Sequence, residues 1–179
     1  MDKKQSVGLV ITIEINGKVY AILQVRGTFN PEKMGPESWP GACQVTAHGG
    51  VETGEDTLSA LMRELKEELG EIAARNITDY IAVQQVAQQQ PLIEVARHDD
   101  DKKLAITFAL HLPNPEFLKN VRLHAGSGGL RLITPDDVPE IHDLDSYDRH
   151  RGVINRSTIA MFCDEIKAVN AALRLQLKS

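Results

Sequence analysis

Three glutamates within five residues are the part of this chain best suited to chemistry. Glu64, Glu67 and Glu68 stand at the three- and four-residue steps that bring side chains together on one face of an α-helix. Like charges at this spacing repel each other, so a cation is their natural partner. The spacing therefore predicts a carboxylate face that attracts a positively charged ion.

The surrounding stretch, Gly49 to Gly70, predicts the helix that carries these acids. Asp56 or Thr57 can cap its start, and Gly70 suits the position just after its end. Apolar residues that share one side of the helical wheel predict its core-facing stripe: Leu58, Leu61, Met62, Leu65 and Leu69. The acids lie beside this stripe rather than opposite it, so we expect them to be half sheltered from solvent.

The glycines and charges in this stretch follow a fixed spacing. Gly49 is followed after five residues by Glu55, and after seven more by Arg63-Glu64-Leu65, then by Glu67-Glu68 and Gly70. Alone, a helix rich in Glu and Lys is more typical of a solvated surface, but the glycine turn and Glu55 favour a site. The arrangement resembles the Nudix box, G-x5-E-x7-R-E-U-x-E-E-x-G-U, where U is aliphatic. Only the last position differs, with Glu71 in place of the aliphatic residue.

The resemblance extends over about residues 7 to 140 and carries expectations about fold and activity. It implies an α-β-α sandwich around a mixed β-sheet, in one domain that we expect to span residues 1–179. It also implies hydrolysis of the pyrophosphate linkage of a nucleoside diphosphate joined to another moiety. The small-molecule partner is then a nucleotide or a nucleotide sugar.

Metal-binding and catalytic roles follow from the resemblance residue by residue. It implies that Glu64, Glu67 and Glu68 bind a divalent cation, and hard oxygen ligands suit Mg²⁺, with Mn²⁺ as the alternative. It implies that Glu67, Glu68 and Arg63 take part in catalysis. A bound cation neutralises pyrophosphate charge and activates water, as attack on phosphorus requires.

Other residues are expected to support this site. The resemblance implies that Arg63 and Glu55 pair and hold the loop against the helix, while Gly49 and Gly70 shape the turns. At position 48, where many members have Pro-Gly-Gly, this chain has Ala-His-Gly. The backbone carbonyl of His48 is expected to complete the metal ligands, and Arg26 to contact a substrate phosphate.

The general base is not assigned by the resemblance, because some members use a box glutamate and others a downstream carboxylate. The downstream candidates are Glu94, Asp99, Asp100, Asp101 and Glu116. The run HDDDKK, which holds three of them, is more typical of a solvated turn. Residues that could line a base pocket, or equally pack in strands, are Tyr80, Gln84, Gln85 and Phe108. A polar cluster that could contact substrate, without a recognisable metal-ligand spacing, comprises His142, Asp145, His150 and Arg151.

Two other functions stand beside hydrolysis. Isopentenyl diphosphate isomerases of the same superfamily use a cysteine upstream of the box beside a Trp and a His, which Trp39, Cys43 and His48 resemble. Those enzymes lack a full box, whereas this chain has one. The second alternative is a non-catalytic ligand-binding module, but such proteins typically lose box glutamates.

Composition is consistent with one small enzyme. The chain has 179 residues, 42% of them hydrophobic and 25% charged, with a net charge of −5. It has no basic run that would indicate a nucleic-acid polymer, and no segment typical of a signal peptide or a membrane span. We therefore expect a cytoplasmic protein in which Cys43 and Cys163 are free thiols.

The remaining elements follow from periodicity. Alternating apolar residues on both sides of Asn16-Gly17 predict a β-hairpin, and residues 43–46, 80–86, 103–112 and 130–133 predict further strands. TPDDVPEI resembles a short helical entry. Residues 158–177 predict an amphipathic helix whose outward side holds Asp164, Glu165 and Lys167. Its apolar face could pack in its own core or form a homodimer.

Overall fold

The computed structural model describes residues 3–31, 33–146 and 152–176. Its strands are β1 (Lys4–Ile15), β2 (Lys18–Arg26), β3 (Phe29–Asn30), β4 (Gly35–Pro36), β5 (Cys43–Gln44), β6 (Ala47–Gly50), β7 (Leu92–Asp99), β8 (Lys103–Leu112), β9 (Ser127–Ile133), β10 (His142–Asp143) and β11 (Ala160–Met161). Its α-helices are α1 (Thr57–Leu69), α2 (Glu71–Val86) and α3 (Cys163–Gln176), and 3₁₀ turns cover Glu116–Asn120, Pro135–Glu140 and Leu144–Ser146.

Within the described residues, seven strands form one mixed sheet. Its main order is β5-β2-β1-β8-β7, while β6 also pairs with β1 and β9 with β2. The β1–β8 pairing is parallel, and the other pairings in this sheet are antiparallel. The chain thus carries β1 through the middle of the sheet, where both of its faces are covered.

The alternation of β1 separates two cores. Val7, Leu9 and Ile11 face α1 and α2, whereas Val10 faces α3, as expected for side chains that alternate across a strand. All four side chains are fully buried. The result is the mixed-sheet α-β-α sandwich that the resemblance implied. None of the described helices is long and apolar enough to span a membrane.

Two local predictions are confirmed by the backbone. Asn16 and Gly17 both have positive φ, 51° and 74°, and Ile15 pairs with Lys18, as a type I′ hairpin requires. The segment TPDDVPEI forms a 3₁₀ turn over Pro135–Glu140, capped by Thr134 and Asp137. Short-range turn chemistry fixed both features.

The strand predicted over residues 80–86 is wrong, because these residues end α2. Ala73, Ala74, Ile77 and Ile81 are the buried residues of this helix and follow a helical period. Val83 and Val86, the β-branched residues that indicated a strand, are exposed. Gly70 separates α1 from α2 but does not end helical structure.

Other boundaries differ by a few residues. The last helix begins at Cys163 rather than near residue 158, and residue 177 lies outside the described residues. Leu58, predicted for the core stripe of α1, is 44% exposed, because it lies in the first turn, beyond the edge of the sheet-facing contact. The apolar face of α3 packs on its own sheet through Ala168, Val169, Ala172 and Leu173.

Candidate active site

Helix α1 is held in place by a cap at each end. The side chain of Asp56 accepts a hydrogen bond from the backbone N–H of Ser59 at 2.8 Å. At the other end Gly70 has a φ of 85°, and its N–H donates to the carbonyl of Lys66. A side chain on Gly70 would also lie 2.9 Å from the Cβ of Arg122, so the turn has no room for one.

Gly49 makes space for the first of the three acids. A Cβ atom at this position would overlap the carboxyl group of Glu64 and force it to move from its place beside Arg63. The carboxyl group of Glu64 therefore packs directly against the backbone of β6. This close approach brings α1 and the glycine turn together at the site.

Arg63 ties the same turn to the helix. Its Nε and Nη2 donate to the two carboxylate oxygens of Glu55 at 3.2 and 3.1 Å, and Nη2 also donates to the carbonyl of Gly50 at 2.6 Å. Its Nη1 donates to Oε1 of Glu64 at 2.7 Å. A two-pronged guanidinium–carboxylate pair fixes orientation as well as distance, so Arg63 positions its neighbours.

The two glutamates that Arg63 contacts most closely, Glu55 and Glu64, have pKa values shifted in opposite directions. Hydrogen bonds from Arg63 lower the pKa of Glu55. Burial raises the pKa of Glu64, and the Arg63 guanidinium only partly offsets this effect. When the exposure of the whole residue is considered, no other Asp or Glu among the described residues is buried as Glu64 is. Its charge therefore depends strongly on nearby cations.

Glu68 is held by two residues from outside the helix. Oε2 accepts from Nε2 of Gln24 at 2.5 Å and lies 2.9 Å from Nε2 of His124. Gln24 is positioned in turn by Gln44, whose amide donates to Gln24 Oε1 at 2.6 Å. Since Nδ1 of His124 accepts the backbone N–H of Gly126, its proton belongs on Nε2, where it can donate to Glu68.

His124 was missed by the sequence analysis. It lies between the 3₁₀ turn at Glu116–Asn120 and β9, about fifty positions from the box, in a segment without periodicity or motif. A lone loop histidine gives no signal of its own. Only the folded chain shows that it reaches Glu68.

The three glutamates line one cleft with several basic side chains. This carboxylate cleft encloses about 640 Å³, and the acids share its wall with Lys4, Arg26, Lys33, His48 and His124. The side chain of Glu67 is 57% exposed and lies 3.6 Å from Arg63, so it faces solvent at the mouth. Acidic and basic groups thus meet in the same space, as a metal-bound phosphate substrate would require.

The donor chemistry of the cleft suits a hard divalent cation, although the acids do not converge. Within the described residues, no three Asp, Glu, His or Cys side chains form a preassembled metal site. Glu64 is turned to Arg63 and Glu68 to Gln24 and His124, while Glu67 points to solvent. Repulsion between like charges is consistent with this separation, because each acid is directed to a donor or to solvent rather than to another acid.

Arg26 and His48 line both the cleft and a neighbouring cavity. Arg26 Nη1 donates to Glu37 at 3.2 Å, and its Nε is buried without a hydrogen-bond partner in the described part of the chain. Partial desolvation by the surrounding protein lowers the pKa of His48, although the residue reaches solvent, and the charges of Lys103 and Arg26 act in the same direction. The role of the His48 backbone carbonyl stays a prediction.

The downstream general-base candidates lie elsewhere. Glu94 pairs with Arg97 and Glu116 with Lys119, both at 2.7 Å, while Asp99 pairs with Lys3. Asp100 accepts backbone N–H groups in the turn between β7 and β8, and Asp101 is exposed there. None of these five side chains lines the carboxylate cleft.

The other sequence candidates also lie away from the acids. Tyr80 and Gln84 line a separate cavity beside β7, Gln85 is exposed on α2, and Phe108 packs in the core under α1. His142 is exposed on β10, and Asp145 lines a second cavity next to the cleft. His150 and Arg151 lie outside the described residues.

The fold and the site together identify the class of this protein. They are a mixed sheet between helices and, at its edge, a helix of carboxylates that Arg63 holds in place. A family model described as the NUDIX domain matches residues 2–154. The chain therefore belongs to the Nudix family. No curated protein matches its sequence at a significant level.

Solved structures share this fold at low sequence identity. The NUDIX domain of Shewanella oneidensis NrtR, complexed with ADP ribose, is 10% identical with a TM-score of 0.57, covering 99% of this chain and 90% of that one. A MutT/Nudix family protein from Enterococcus faecalis is also 10% identical, with a TM-score of 0.53, covering 100% of this chain and 64% of that one. These similarities establish the fold.

Proposed function

We propose that this protein is a Mg²⁺-dependent hydrolase that cleaves the pyrophosphate linkage of a nucleoside diphosphate joined to another moiety. The observation that carries the proposal is the carboxylate cleft, where Glu64, Glu67 and Glu68 share one wall with Arg26 and two lysines. A carboxylate cluster alone would repel phosphates. In this cleft, carboxylates that can bind Mg²⁺ lie beside basic side chains that can bind phosphate oxygens. A pyrophosphate is therefore the substrate that fits the cleft.

Each box residue has a distinct part in this proposal. Glu64, Glu67 and Glu68 would hold the cation, with Mn²⁺ as an alternative to Mg²⁺ and the His48 carbonyl as a further ligand. When bound, Mg²⁺ supplies charge neutralisation and an activated water. Glu67 is the most exposed of the three carboxylates and Glu68 is held in the wall of the cleft, so we assign to these two the positioning and deprotonation of the attacking water.

Supporting residues keep the acids in place and hold the substrate. Arg63 contacts Glu55, Glu64 and Glu67, so we assign it the positioning of the acids as well as its catalytic role. Arg26 is assigned to a substrate phosphate, because it lines the cleft and one of its buried N–H groups lacks a partner among the described residues.

The proposal is tested by a substrate screen with a matched variant. Purified protein is incubated with Mg²⁺ and nucleoside triphosphates, ADP-ribose, dinucleoside polyphosphates and nucleotide sugars, and products are separated by chromatography. We expect Glu68→Gln to lower kcat at least about 100-fold, since it removes a carboxylate that acts only when charged. Glu71→Gln, an exposed glutamate paired with Lys66, is the control and should retain full turnover.

Two results would contradict the proposal. One is a failure of the protein to cleave any substrate class in the panel with either Mg²⁺ or Mn²⁺, which would favour the ligand-binding module. The other is a Glu68→Gln variant as active as the Glu71→Gln control.

The isomerase alternative finds little support in the position of Cys43. Its thiol is 1% exposed and packs in the core under α3, and burial raises the pKa of Cys43 to about 11. Cys43 does not line the carboxylate cleft. A buried, protonated thiol away from the cleft cannot exchange protons with a substrate bound there.

The proposal treats residues 1–179 as one cytoplasmic functional unit. Helix α3 lies beyond the matched residues 2–154 but packs on the central sheet, so it is part of the same fold. Cys43 and Cys163 are free thiols, as expected for a reducing compartment. The partner is a small molecule rather than a nucleic-acid polymer or a membrane, and a homodimer stays an alternative to the monomer.

A further inference from the structure

Glu165, in the first turn of α3, was predicted to face solvent, but its carboxyl group is buried. This prediction is wrong because Glu165 lies against Val45, in the segment between β5 and β6. Oε1 of Glu165 accepts the backbone N–H of Val45 at 3.3 Å. Oε2 is buried and has no hydrogen-bond partner within the described residues. A buried carboxyl oxygen without a donor destabilises the fold, so its retention calls for a function.

The carboxyl group lies in a groove that continues from the carboxylate cleft. A second cavity of about 540 Å³ shares Arg26 and His48 with the cleft and has Glu165 in its wall. A third, of about 300 Å³, shares His48 and Glu165 with the second. The three cavities are therefore neighbours, and their shared residues lead from the box acids, past Arg26 and His48, to Glu165. We call the part beyond Arg26 the distal groove.

The distal groove offers the surroundings that a flat or cyclic organic group would need. Its wall includes small and apolar side chains from β7 and β8, namely Val95, Ala96 and Ala105, with Lys103 and Lys167 beside them. Glu165 does not line the carboxylate cleft, so it is placed for recognition rather than for metal binding. Burial raises the pKa of Glu165 to about 7, although the charge of Arg26 and the nearby backbone of Val45 and Phe162 act in the opposite direction.

We propose that Glu165 recognises the part of the substrate beyond its phosphates by accepting a hydrogen bond from a nucleobase N–H or a sugar O–H group. The inference rests on the proposed function, since the phosphates must lie at the box acids for the remainder to reach the distal groove. Glu165 is thus a specificity residue, and a substrate that lacks the donor leaves its buried oxygen unpaired.

The test compares nucleotide affinity between two neighbouring substitutions. Glu165→Gln keeps the oxygen that accepts from Val45 but turns an N–H group towards the ligand donor, whereas Asp164→Asn changes an exposed residue in the same wall. Calorimetry measures ATP, GTP, CTP, UTP and ADP-ribose in a Glu68→Gln background, with and without Mg²⁺, so that bound nucleotide is not consumed. We expect E165Q to weaken the tightest ligand about 10- to 100-fold and D164N to change it less than about threefold.

Analogues identify the donor without relying on the folding of a variant. Deoxy nucleotides lack the 2′ hydroxyl, and inosine triphosphate lacks the amino group of guanine. The analogue that lacks the recognised donor should bind more weakly than the parent nucleotide when Glu165 is intact. In E165Q the affinity for this analogue should not fall any further.

Two outcomes overturn the inference, and they are distinguishable. Equal affinities for E165Q and D164N across the panel refute recognition by Glu165 while leaving the hydrolase proposal intact. A protein with Glu68 intact that binds none of the panel, measured with non-hydrolysable analogues, also overturns the inference, whereas the hydrolase proposal is decided separately by the substrate screen.

Discussion

At the scale of single residues, the carboxylate cleft depends on donors that come from distant parts of the chain. Glu68 is held by Gln24 of β2 and by His124 of a loop, while Glu64 is held by Arg63 on its own helix. These contacts orient the carboxylates before any ligand arrives. Orienting partners of metal-binding carboxylates typically change activity by 10- to 100-fold when removed.

We predict that His124→Ala lowers kcat/KM about 10- to 100-fold, because Glu68 loses the N–H that fixes its orientation. Steady-state kinetics measure this change, and a Mg²⁺ titration should show weaker activation by the metal. His142→Ala, an exposed histidine on β10, is the control. Equal effects from the two substitutions would show that the His124–Glu68 contact has no part in catalysis.

At the scale of elements, the site exists because β6 and α1 approach each other without an intervening side chain. Gly49 is in β6, and the carboxyl group of Glu64 occupies the space where its Cβ would lie. Arg63 closes the turn between the two elements through Glu55 and the carbonyl of Gly50. The glycine is therefore needed for close approach rather than for an unusual backbone angle.

We predict that Gly49→Ala destabilises the fold by roughly 1–3 kcal/mol, the usual cost of overpacking a tight contact, and abolishes most activity. Denaturant unfolding and steady-state kinetics measure the two effects. Gly50→Ala is a matched control, because the nearest atom to its added Cβ is the carbonyl oxygen of Gln5 at 3.9 Å. A Gly49→Ala protein that is as stable and active as Gly50→Ala would contradict this account of the turn.

At the scale of the whole molecule, α3 links stability to pH through one buried carboxyl. The charged and titratable groups that line the cavity around Glu165 are Arg26, His48, His98, Lys103, Asp145, Cys163, Asp164 and Lys167. Burial outweighs the attraction of Arg26 and raises the pKa of Glu165 to about 7, from an ordinary value of 4.5. The folded protein is therefore more stable when Glu165 is neutral than when it is ionised.

We predict that Glu165→Gln removes part of the pH dependence of unfolding. Below pH 4.5 the Glu165 carboxyl is protonated in both the folded and the unfolded protein, so it does not change the free energy of unfolding. Above pH 4.5 the carboxyl ionises in the unfolded chain while it stays protonated in the folded protein. Stability is thus lost as pH rises towards 7, by at most roughly 3 kcal/mol. Urea unfolding between pH 4 and 8 should show a smaller decline for E165Q than for wild type and D164N. Parallel profiles for all three proteins would contradict the prediction.

Sequence patterns predicted the parts of the site that are close together along the chain. Helix α1, its caps and the shared face of the box acids follow from spacing, and the Asn16-Gly17 hairpin follows from turn chemistry. The secondary structure predicted from the sequence was wrong where exposed residues favoured a different element from the one that forms. Val83 and Val86 favour strands, yet they end a helix whose buried face, with Ile77 and Ile81, decides its structure.

The sequence by itself determined the family, the carboxylate helix and the glycine at position 49, because these rest on interactions within about twenty residues. Only the tertiary structure decided that His124 and Gln24 hold Glu68, and that the carboxyl of Glu165 is buried at the end of the distal groove. Such contacts join residues that are 44 to 120 positions apart. Their geometry is set by how the sheet and helices pack together, and local spacing carries no information about that packing.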